Sequence, residues 1–135
     1  MRTVMNRAFS YWKTIIWSAI MLIIFLLPAN NLSKAPSVSG LSEFIHMFMF
    51  AVLTWSIIRE RQVRASVKRP GSQIYISAVI FSLLFGVVVE LLQKLSGFGR
   101  TAELMDVMFD LAGSLFAVVF ILLYFRKVRH RFFKS

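Results

Sequence analysis

The sequence predicts an all-α polytopic membrane protein, a four-transmembrane-helix bundle with both termini cytoplasmic. Three observations carry that expectation. The 135 residues are 58% hydrophobic with a mean hydropathy of +0.71, more apolar surface than a soluble domain of this size can bury. The apolar residues fall into four stretches, each approaching the ~20 residues that a helix needs to cross a ~30 Å hydrocarbon core. Basic residues alternate between rich and poor connections, as the positive-inside rule requires.

The helices are expected at about 9–28, 41–58, 74–93 and 104–125. The first holds no charge between Lys13 and Lys34. It has a basic start and an apolar run, but Pro28-Ala29-Asn30-Asn31 lacks a small-x-small cleavage pattern, so it is expected to be retained as a span. The second contains Glu43 and His46 and needs independent support. Charge supplies it, because thirteen of the sixteen basic residues fall on one side when all four segments span. Without the second span, the block from Arg59 to Arg69 would lie on the wrong face. The third follows the turn signal Pro70-Gly71, and the fourth ends in a basic tail. Helix rather than strand is required, since backbone groups in lipid must be satisfied within the segment. The whole chain, 1–135, reads as a single transmembrane domain.

A net charge of +10 in a soluble protein would suggest nucleic acid. Here the basic residues flank apolar segments, so the expected partners are membrane lipids and no nucleic acid. With no cysteine in the chain, thiol catalysis and disulfides are excluded.

Ionisable residues are costly inside a membrane and mark functional sites. In this chain five of the six acids lie toward the non-cytoplasmic end. His46 opens the second helix there, Glu90 and Gln93 close the third, Arg100 occupies the connection, and Asp106 and Asp110 open the fourth. Gly86, Glu90 and Gln93 share a helix face by their i, i+4, i+7 spacing, as do Asp106, Asp110 and Gly113. Gly86 and Gly113 are expected to bring the third and fourth helices into close contact. Asp110 lies one turn deeper than Asp106, about 6 Å at 1.5 Å per residue. These residues are expected to line a polar cavity. If the cavity holds a divalent metal, His46, Glu90, Asp106 and Asp110 are the candidate ligands, a donor set suited to Mg, Mn or Zn. The plainer reading is interhelical hydrogen-bond glue, worth ~0.6 kcal/mol per contact. An apolar core would be more stable than an ion cluster that served structure alone.

The pattern resembles the VanZ-like family, named for a glycopeptide-antibiotic resistance accessory protein. The matching pieces are His46-Met47-Phe48-Met49-Phe50, then Glu90-Leu91-Leu92-Gln93, then Arg100 followed by Asp106 and Gly113. Two positions depart from the family's usual residues. Ser42-Glu43 stands where the family commonly has Asp-Lys, and Asp110 where it commonly has Asn. Both changes make the cavity more acidic. The resemblance implies a multi-pass protein of the bacterial cytoplasmic membrane, linked in its namesake to teicoplanin tolerance.

Two functions are consistent with the pattern. The cavity binds an anionic lipid or a lipid-linked cell-wall intermediate, with Arg100 as the phosphate partner. Alternatively, the protein is an intramembrane hydrolase or transferase using a metal or an acid–base pair. The paired Glu-Glu of CAAX-type intramembrane proteases and the Lys/Arg/His pattern of acid-phosphatase-type membrane phosphatases are both absent. Binding is therefore the favoured expectation.

Overall fold

The computed structural model describes residues 11–27, 40–96 and 104–132, with side chains to residue 127. Among them are four helices and no strand: α1 (Trp12–Phe25), α2 (Leu41–Arg64), α3 (Ser72–Ser96) and α4 (Leu104–Phe132). Three helices, α2, α3 and Leu104–Lys127 of α4, are long and apolar enough to cross a membrane. The 14 residues of α1 rise about 21 Å, and both flanks of the span expected over 9–28 lie outside the described residues.

Each long helix overruns its expected bounds. The expectation stopped α2 at Ile58 and α4 at Phe125, where charge begins. Charge marks where a helix leaves hydrocarbon, and Arg, Glu, Gln and Lys are good helix formers, so the backbone bonding continues. The end of α2 is a Schellman turn, with Val67 N–H donating to the Gln62 carbonyl and Ser66 N–H to that of Val63. Ser66 takes the left-handed conformation at φ 53° that such a cap requires.

The buried positions follow helical spacing. On α2 they include His46, Met49, Phe50, Leu53, Thr54 and Ile57. On α3 they are Ala78, Ser82, Gly86, Val89, Glu90 and Gln93. On α4 the inward residues include Asp110, Gly113, Ser114, Ala117 and Ile121. The inward faces of α3 and α4 are thus small or polar, while Ile80, Leu84, Phe116, Val119 and Leu123 point outward. A water-soluble bundle would reverse that distribution. In lipid, small residues let backbones approach and large apolar ones face the acyl chains.

The central helix is α2, which packs against α4, α3 and α1. Gly113 sets the α2–α4 seam, since a Cβ there would collide with the Met47 carbonyl. The expected partner of Gly113 was the third helix. Gly113 is buried, but periodicity does not say which neighbour a face meets. Gly86 does lie against α4, where an added Cβ would stand 2.5 Å from Asp110 Oδ2. Deeper in the bundle, Thr54 of α2 and Ser82 of α3 share a 2.8 Å hydrogen bond.

The short helix α1 is held at both ends by side chains from other helices. At its start, the Glu60 carboxylate of α2 accepts from Lys13 N–H at 2.8 Å, Thr14 N–H at 3.3 Å and the Thr14 hydroxyl at 2.6 Å. Helix N-termini leave backbone donors without partners and carry partial positive charge, so a carboxylate there is favourable twice over. At its end, Gln93 Nε2 of α3 donates to the Phe25 carbonyl at 3.0 Å. Between them, Trp17 Nε1–H donates to the Met49 carbonyl at 3.0 Å. Tyr11 supplies no side-chain cap of its own, so Glu60→Ala should cost about 2 kcal/mol and Glu60→Gln about half that. Thermal unfolding in detergent would measure both, and a Glu60→Ala protein as stable as wild type would show that the cap contributes nothing.

Candidate ligand and metal site

These contacts also fix direction. The end of α1 meets the start of α2 through Phe25 and His46, and the end of α3 through Gln93. The start of α4 meets the same point through Asp106 and Asp110. The helices therefore alternate in direction, and the polar residues of three of them converge at one end of the bundle. Local chemistry agrees with this placement, because Glu43 and Asp106 sit in the first turns of α2 and α4 and Lys94 in the last turn of α3, each complementing the helix dipole.

His46 is the centre of the cluster and is only 1% exposed. Its Nδ1 lies 2.9 Å from Asp110 Oδ1. A carboxylate can only accept, so Nδ1–H donates, and in the neutral ring Nε2 then carries the lone pair. That Nε2 is 3.6 Å from Asp106 Oδ2, too long for a hydrogen bond. Glu90 completes the group, with one ligand atom each of His46, Glu90 and Asp106 lying within 4.8 Å of one another. The imidazole stacks on Phe25 at a centroid distance of 4.4 Å, and Phe50 lies beside both rings, 6.5 Å from His46 and 6.3 Å from Phe25. Asp110 is anchored through its own turn as well, because Ser114 Oγ donates to its carbonyl at 2.9 Å.

The structure thus brings together His46, Glu90, Asp106 and Asp110, which arise from α2, α3 and α4. Gln93 is adjacent and buried, but its amide nitrogen is engaged with the end of α1. Arg100 lies outside the described residues. Of the His46–carboxylate pairs, Asp106 is the more open, its side chain 14% exposed against 1% for Asp110. A ligand would therefore approach past Asp106.

Two participants, Phe25 and Phe50, were not among the expected site residues. Phe25 ends the first apolar stretch with nothing to distinguish it from residues facing lipid. Phe50 had a usable signal, since it lies four residues after His46 and so on the same face.

The VanZ/LLP1 family model matches residues 2–126. No curated protein and no solved structure matches the chain.

Proposed function

The chain belongs to the VanZ/LLP1 family, and on that premise we propose that it is a multi-pass protein of the bacterial cytoplasmic membrane that binds an anionic lipid headgroup or a lipid-linked cell-wall intermediate at the outer leaflet. In this reading all four helices span and both termini are cytoplasmic. The basic connection between α2 and α3 then lies inside, and the His46 cluster lies toward the outer surface.

The observation that carries the reading is the convergence of His46, Glu90, Asp106 and Asp110 at one end of helices suited to a membrane. Buried ionisable groups at that depth are expensive, and glue alone does not call for four of them. A groove of about 360 Å³ between α2 and α4, lined by Phe48, Ala51, Val52, Trp55, Phe116, Ala117 and Phe120, faces outward and suits an acyl or prenyl chain. Arg100, placed by sequence in the adjoining connection, is the partner for a phosphate. A contribution to teicoplanin tolerance would follow if the bound lipid carries a cell-wall unit.

The buried His–carboxylate pair also favours the second reading, an intramembrane hydrolase or transferase acting on a lipid-linked substrate. One experiment separates them. The purified protein is titrated with polyprenyl phosphate and with the neutral polyprenol, and the recovered lipid is analysed. Tighter binding of the phosphate is expected, falling about tenfold or more in Arg100→Ala, since a hydrogen bond to a charged group contributes ~1.5–3 kcal/mol. Equal binding of alcohol and phosphate would remove the headgroup reading, and recovery of a chemically altered lipid would favour the enzyme.

A further inference from the structure

We propose that His46 Nε2, Glu90 and Asp106 bind a divalent cation of the Zn²⁺ or Mn²⁺ class, with Asp110 orienting the His46 ring. The site stands on its own geometry, whether or not a phosphate lipid is the ligand. Three helices each contribute one residue, and one ligand atom from each of the three already lies within 4.8 Å of the others. An ion bonded at ~2.0–2.2 Å to each requires them within about 4.4 Å of each other, a shift within reach of side-chain rotation.

The second observation concerns His46 alone. Its side chain is buried, and its Nε2 has no hydrogen-bond partner. A ring nitrogen in that condition, 3.6 Å from a carboxylate oxygen, is costly to bury. The opposite ring nitrogen explains why it faces that way. Metal-binding histidines characteristically donate their other N–H to a carboxylate, which fixes the tautomer and the ring plane and raises the basicity of the ligand. Asp110 occupies that position at 2.9 Å, Gly86 leaves space for its second oxygen, and Phe25 and Phe50 limit rotation of the imidazole.

Donor chemistry narrows the ion. One imidazole and two carboxylates suit Zn²⁺ or Mn²⁺, and the chain has no cysteine to select a softer metal. A bound dication would offset two of the three carboxylate charges around it, so that the acid-rich site would repel a phosphate less.

The test uses chelator-stripped protein in detergent, titrated calorimetrically with Zn²⁺ and Mn²⁺ alone. Saturable, stoichiometric binding of at least one ion is expected, together with a rise in Tm, because a ligand that binds only the folded state stabilises it. Asp110→Asn should weaken the affinity about 10–100-fold, and Glu90→Gln and Asp106→Asn should abolish the saturable phase and the Tm rise. Asp106 is the most open of the His46 partners, so Asp106→Asn decides the matter if Glu90→Gln fails to fold. Wild-type protein that takes up neither ion saturably overturns the proposal. So does a folded Asp106→Asn protein that binds as tightly as wild type.

Discussion

Gly113→Val is expected to leave little folded protein, and Gly113→Ala to cost about 3 kcal/mol, the upper end of ordinary overpacking penalties. Two effects oppose each other in the alanine variant. Alanine favours the helix over glycine by ~1 kcal/mol, but its Cβ would collide with the Met47 carbonyl oxygen and lie 2.8 Å from the carbonyl carbon. Both of these are backbone atoms of a packed helix, which cannot rotate aside as a flexible side chain can. The steric effect therefore wins, and α2 and α4 must separate. Met47 follows His46, and Gly113 lies one turn beyond Asp110, so separation also stretches the His46–Asp110 contact. Unfolding in detergent would measure the loss. A Gly113→Ala protein at least as stable as wild type would mean that the two backbones are not in contact.

His46→Leu should destabilise the protein by about 3 kcal/mol, the cost of leaving a buried carboxyl without its hydrogen-bond partner. It leaves the Asp110 carboxyl, 1% exposed, without the ring nitrogen that now faces it. Asp110→Leu should be similarly costly, since it strips the hydrogen bond from Nδ1 and leaves a buried imidazole. The two effects are not expected to add. In His46→Leu/Asp110→Leu both polar partners are gone, Leu has the branched outline of Asp, and Gly86 already leaves the necessary space. Replacement of a buried pair by apolar residues of similar volume is often neutral or stabilising, so the double variant should recover most of the loss. Additive losses in the double variant would show that the pair is not energetically coupled.

Charge in a membrane segment is rare enough to stand out, which made His46, Glu90, Asp106 and Asp110 legible as candidates, whereas Arg100 lies outside the described residues and Gln93 binds the end of α1. Glu90 and Gln93 share a face by their spacing, and both are buried on α3. What spacing leaves open is the neighbour. Gly113 was read against the third helix and packs on the second. Glu60 offered still less, since it sits among arginines like an ordinary surface acid. It is buried because its partners are backbone N–H groups at the start of α1, and a backbone donor leaves no residue-type signal. Phe25 was hidden for a related reason, as one of 14 phenylalanines whose role depends on the end of α1 meeting His46. The helix ends differed because hydropathy records the bilayer boundary, whereas helix propensity carries α2 on through Arg64.

The apolar double variant gives the most direct test of the account as a whole, because it erases the His46 pair while conserving the packing. Wild-type protein and His46→Leu/Asp110→Leu would be purified in parallel, checked for equal helix content, and titrated with polyprenyl phosphate in the presence of Zn²⁺ or Mn²⁺. The folded double variant is expected to bind the lipid at least tenfold more weakly, a loss of about 1.4 kcal/mol or more. Equal affinity in the two proteins would contradict it and leave the cluster as a structural contact between helices.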